Sequence, residues 1–212
     1  MNTSVFSADR APRLLYTEEA PAPVRRSYFS DLIQTVFFRD IDPECRPTMF
    51  TSTTSGAGVS FVCSSVATEL AALGGKVLLA DAQTLVRLAR RPEKDAVNGP
   101  ERIDLSRLWV LGPRQIDLRA APDGVPSSLT TVLTALRDEF THIIVDAPAL
   151  SSSEDAIILA AVVYGTIFVA QSGSTGTQEI AQARQKFISL GGRVLGSVYN
   201  GRSVDAAGSS HS

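Results

Sequence analysis

The residues best suited to chemistry cluster at four points. The loop Thr51-Ser52-Thr53-Thr54-Ser55-Gly56-Ala57-Gly58-Val59-Ser60-Phe61 lies between a short apolar run and an amphipathic stretch. Its glycines allow backbone N–H groups to curl around an anion, and the following helix start adds partial positive charge. Against the phosphate-loop pattern G-x-x-x-x-G-K-[ST], Thr53 takes the first glycine position and Gly58 the second. Val59 then stands at the lysine and Ser60 at the metal-binding hydroxyl. Asp81 and Asp146 each close a continuous apolar run (Val77–Ala80 and Ile143–Val145), and a fourth segment, 171–175, follows another. The glycine-rich loop, the two carboxylates and the 171–175 stretch, all at the ends of buried strands, have the layout of a nucleotide site.

The elements that must position these residues follow from periodicity. Phe29, Leu32, Ile33, Val36 and Phe37 recur at helical spacing and predict a helix over 27–39. Strands are expected at 48–52, 76–81, 108–111, 142–146, 166–170 and 194–199. Helices are expected at 59–73, about 84–90, 127–140 (capped by Ser127 or Ser128), 153–163 and 176–190. Residues 83–104 otherwise read as polar and irregular. Apolar strands alternating with helices predict an α/β fold with a parallel, doubly wound sheet and helices on both faces, a three-layer α/β/α arrangement. Pro12, Pro21 and Pro23 mark residues 1–26 as a flexible leader. Residues 27–202 form the expected domain, and the Ser/Gly/Ala-rich 203–212 a disordered tail.

Composition narrows the classes. The chain has 212 residues, a net charge of −2 and 20% charged residues, which argues against a nucleic-acid partner. Cys45 and Cys63 match no metal spacing, and His142 and His211 are far apart, so neither zinc nor a histidine-centred triad is expected. The longest apolar stretch, Ala156–Ala170, falls short of the ~20 residues that span a bilayer. Without a basic, apolar N-terminal signal, the expectation is a cytoplasmic protein. Of 20 basic residues only Lys76, Lys94 and Lys186 are lysine.

Four blocks taken in order resemble a family. T-S-T-T-S-G-A-G-V-S, V-L-L-A-D-A-Q, I-V-D-A-P-A-L and L-G-S-V-Y-N are similar to those of the bacterial tyrosine kinases of capsule and exopolysaccharide synthesis. That family belongs to the P-loop group that also holds the ParA/MinD-like ATPases. The resemblance covers about 27–202 and implies a P-loop NTPase-like fold that uses ATP and Mg²⁺. It places Ser55, Gly56, Ala57, Gly58, Val59, Ser60, Phe61, Thr175 and Asn200 around the nucleotide, with Asn200 at the base. Ser60, Asp81 and Asp146 would hold Mg²⁺, and Asp81 and Asp146 would be the catalytic acids.

The departures from the family pattern carry equal weight. Val59 replaces the lysine that neutralises the β- and γ-phosphates. Lys76 begins its strand at the end opposite the site, which leaves only Arg87, Arg90 or Arg91 to lean in after Asp81. Gln83 replaces a second acid, and the tail contains no tyrosine. The E-x-x-R-x-x-R ring motif aligns with Ser27, Ser30 and Ile33. These losses imply a kinase-like regulator with impaired phosphoryl transfer. Its implied partner is the cytoplasmic part of a membrane polysaccharide co-polymerase, or a related kinase, through which it would reach the membrane; self-association is left open. The alternatives are an active divergent tyrosine kinase or ATPase, and a ParA/MinD-like positioning ATPase. Phe37, Phe38, Trp109 and His142 read as structural.

Overall fold

The computed structural model describes residues 22–38, 45–90, 99–104, 106–112, 129–171 and 177–201. In chain order the elements are α1 (Ala22–Phe37), β1 (Thr48–Thr51), α2 (Val59–Ala72), β2 (Val77–Asp81), α3 (Ala82–Arg90), β3 (Glu101–Arg102) and β4 (Leu108–Leu111). There follow α4 (Leu129–Glu139), β5 (His142–Asp146), α5 (Asp155–Ala160), β6 (Gly165–Gln171), α6 (Thr177–Ser189) and β7 (Val194–Asn200).

The strands form one sheet in the order β3-β4-β2-β5-β1-β6-β7. Every pairing from β4 to β7 is parallel. Parallel pairing brings the carboxyl ends of β1, β2, β5, β6 and β7 to one edge, where ligands bind in such sheets. The central strands are apolar on both sides because each side is roofed by helices. Leu78, Ala80, Ile143, Val145, Phe168 and Ala170 share a core with Leu85 of α3, Leu133 of α4, Leu159 of α5 and Phe187 of α6. The alternate residues Leu79, Ile144, Ile167 and Val169 pack with Val62, Val66 and Leu70 of α2 and Ile33 of α1. The expected three-layer α/β/α fold is the observed one.

Two elements depart from expectation. β3, in the stretch read as irregular, pairs antiparallel with β4. Both its residues, Glu101 and Arg102, are charged and exposed, so neither alternation nor apolar character marked it. α1 begins at Ala22 rather than 27, within the expected leader. Pro23 is compatible because the first helical turn has no intrahelical use for its missing N–H. The rest of the expected leader, the tail from 203 and the caps Ser127 and Ser128 lie outside the described residues.

α1 is held to α2 rather than presenting a charged ring motif. Ile33 is buried, and the Ser30 hydroxyl donates to Glu69 at 2.8 Å; the side chain of Ser27 lies outside those described. His142 is structural, as expected, with the Phe37 and Phe38 rings edge-on to it at 5.7 and 6.0 Å. Burial holds its pKa below the usual histidine range. Phe38 corrects the core assignment. It is 52% exposed, because it follows the last helical residue.

Candidate nucleotide site

The glycine-rich loop is sewn to the segment that follows β5. The Thr51 hydroxyl donates to the Pro148 carbonyl at 2.7 Å, Leu150 N–H donates to the Ser52 carbonyl at 2.9 Å, and Ser151 N–H donates to that of Thr53 at 3.3 Å. Ser55 and Ser152 share a hydroxyl bond at 2.8 Å. Gly56 and Gly58 hold left-handed φ values of 86° and 83°, which bend the loop as no other residue would without strain. Gly58 caps α2 without a side-chain bond. Among the described residues no acceptor meets the backbone N–H groups of Gly56 through Phe61. A run of free donors at a helix start is a cradle for an anion.

The acids stand beside the loop. Asp81 and Asp146 are register partners on the adjacent strands β2 and β5. Asp146 is almost wholly buried. Burial, reinforced by the Asp81 charge, pushes its carboxyl up to about 7, against the pull of a hydrogen bond from Ser60. Burial also raises Asp81, opposed by its bonds from Thr84 and by the Arg87 guanidinium. Two neighbouring carboxylates, one of them buried, call for a cation to let both ionise. Among the described residues no three or more His, Cys, Asp or Glu side chains group as a metal site on their own. Ser60, Asp81 and Asp146 offer only oxygen donors, a set that suits Mg²⁺, which takes few protein oxygens and completes its shell with phosphate and water. Ser60, Asp81 and Asp146 are the residues that would hold it.

Asp81 has a second use that the spacing D-x-x-T could have revealed. Its Oδ2 caps α3, accepting the Thr84 N–H at 2.8 Å and the Thr84 hydroxyl at 2.7 Å. Thr84→Val removes one charge-assisted bond at a fully buried position. The expected loss is about 1.5–2 kcal/mol of unfolding free energy at pH 7, read by urea denaturation; a loss below about 0.5 kcal/mol contradicts this role.

Other predicted residues sit differently. Val59 packs its apolar branch against the core beneath α1 and α2. Phe61, expected beside the nucleotide, is 45% exposed with its ring edge-on to Phe29 of α1 at 6.4 Å. Asn200, expected at the base, donates from Nδ2 to the Ala57 carbonyl at 3.0 Å. Thr175, Lys94 and Arg91 lie outside the described residues. Lys76 is at the far end of β2, its Nζ 5.2 Å from the Trp109 ring centre and 4.9 Å from that of Phe140. Trp109 is thus a partly buried platform for a cation.

A phosphate-type loop after β1 and acids at the ends of β2 and β5 define the P-loop NTPase-like class. No protein-family model matches the chain. It is 23% identical to a Staphylococcus aureus protein assigned as a tyrosine kinase, CapB, over 90% of both chains. It is 22% identical to tyrosine-protein kinase YwqD of Bacillus subtilis, over 92% of this chain and 89% of that one. The kinase domain of the Escherichia coli tyrosine kinase ETK superposes with a TM-score of 0.67 at 22% identity, over 87% of this chain and 78% of that one. The cell-division protein MinD of Aquifex aeolicus does so at 0.53 and 18% identity, over 74% and 69%. By sequence the chain is similar to bacterial tyrosine kinases, and its fold is the P-loop NTPase-like α/β fold shared by the kinase domain of ETK and by MinD. No helix among the described residues is long and apolar enough to cross a membrane.

Proposed function

We propose that residues 27–202 form a kinase-like regulator of capsule or exopolysaccharide synthesis, with a Mg-nucleotide site that transfers phosphate poorly if at all. The observation that carries this reading is Val59. At the position of the phosphate-binding lysine the chain places a branched apolar side chain engaged in core packing. Among the described lysines, Lys76 stacks at the opposite end of its strand, and Lys186 lies in the last turn of α6. Loss of one preorganised electrostatic stabiliser costs about 10²–10³ in rate. The free N–H groups of Gly56–Ser60 remain suited to the phosphates, and Ser60, Asp81 and Asp146 to the metal. The protein then works by binding a partner: the cytoplasmic part of a membrane polysaccharide co-polymerase, or a related kinase, at the cytoplasmic face. The CapB and YwqD names support the kinase setting.

A second reading, an active divergent kinase or ATPase, is favoured by one observation. The Arg87 guanidinium lies close enough to draw down the Asp81 carboxyl, so one cation does stand near the acids. A MinD-like positioning ATPase has less support, because residues 51–58 lack the lysine early in the loop that such switches use. Calorimetric titration with Mg-ATP, coupled to an assay for ADP, separates the readings. The regulator binds weakly and forms no ADP. Micromolar binding with steady turnover would overturn it, and loss of that turnover in Asp81→Ala would establish the active enzyme.

A further inference from the structure

Asn200 closes β7, in register with Gln171 at the end of β6. Its Nδ2 reaches across 143 positions of sequence to the Ala57 carbonyl at 3.0 Å. A carbonyl acceptor fixes which end of the amide faces the loop, since only the nitrogen can donate. The amide also reaches the side-chain space of Gly58 nitrogen-first. A Cβ built there would fall 2.1 Å from Nδ2 and 3.3 Å from Cγ. Gly58 is therefore required twice, by its φ of 83° and by the amide that fills its side-chain space. In a trans peptide the C=O and N–H point in opposite directions. Anchoring the Ala57 carbonyl on Asn200 therefore sets the direction of the Gly58 N–H, one of the free donors of the loop. An asparagine that reads adenine does so with both its oxygen and its nitrogen. Here one of the two Nδ2 N–H groups is tied to the loop, and the other N–H and Oδ1 are not used by that bond.

We propose that Asn200 is a positioning residue for the phosphate loop, whatever else its amide meets. This rests on the reading of the loop as a phosphate site. The end of β7 holds the Ala57–Gly58 peptide in its anion-binding orientation, so phosphate affinity depends on β7.

The test uses the full chain, its Asn200→Leu and Asn200→Ala variants, and three probes with Mg²⁺: ATP, GTP and inorganic tripolyphosphate. Calorimetry is expected to show about a tenfold loss of affinity for all three probes, tripolyphosphate included, the cost of one partly buried hydrogen bond that orders the loop. Loss confined to ATP with tripolyphosphate unaffected makes Asn200 a base reader and overturns the proposal; so does unchanged affinity throughout. If the wild-type chain binds none of the three, the phosphate reading fails by itself. ¹⁵N relaxation without ligand then still decides the clamp. Order parameters of Gly56–Val59 falling from about 0.85 toward 0.6 in the variants support it, and unchanged values overturn it.

Discussion

Val59→Lys is expected to gain what the wild-type chain lacks: nucleotide affinity at least tenfold tighter, and any phosphoryl transfer faster by about 10²–10³. Val59 is the first residue of α2 and only partly buried. A lysine stem can cover the same apolar surface while its amine reaches toward the loop. The free N–H groups of Gly56–Ser60 and the acids Asp81 and Asp146 are already placed, so one charge completes the set. Without ligand the same substitution puts a cation at a helix N-terminus. That costs about 0.5–1 kcal/mol of stability. Binding and stability should thus move in opposite directions, measured by calorimetry and by thermal unfolding. A variant that is destabilised without binding more tightly would show that the loop does not hold phosphate.

Asp146→Asn is expected to stabilise the ligand-free protein above neutral pH. The native carboxyl titrates at about 7, against 3.8 in the unfolded chain. Between those values the native state keeps a proton that the unfolded state has released. Stability therefore falls as pH rises from about 4 through 7, then levels off. Asparagine is neutral throughout and still accepts the Ser60 hydroxyl. At pH 8 the variant should be more stable by roughly 2–4 kcal/mol, and at pH 4 nearly equal to wild type. Urea denaturation at the two pH values checks this. A gain equal at both, or a loss at pH 8, contradicts the burial of a strained acid. With Mg-nucleotide added the order should reverse, because the ionised carboxylate then has a cation to serve.

Much of this architecture was readable because buried parallel strands write themselves as apolar runs closed by a polar residue. Val77–Asp81 and Ile143–Asp146 did so, and their parallel register placed the two acids side by side. What escaped was what periodicity cannot carry. β3 is two exposed charged residues, and its pairing depends on β4. Phe29 and Phe61 meet only because α1 lies over the start of α2. Asn200 and Ala57 are joined by β7 lying beside β6 and β6 beside β1, a relation between distant segments. The capping role of Asp81 was within reach, since a threonine three residues on is a local signal. Val59 was legible from its position in the loop, and the structure adds that its side chain is engaged in the core.

The most direct measurement is a single-turnover assay of γ-phosphate loss from ATP with excess Mg²⁺ and excess wild-type protein, run beside Val59→Lys. A loop without its lysine predicts that wild type releases or transfers phosphate about 10²–10³ more slowly than Val59→Lys and far below the rate of working kinases. Wild-type turnover near the ~1 s⁻¹ or more of working kinases would contradict it.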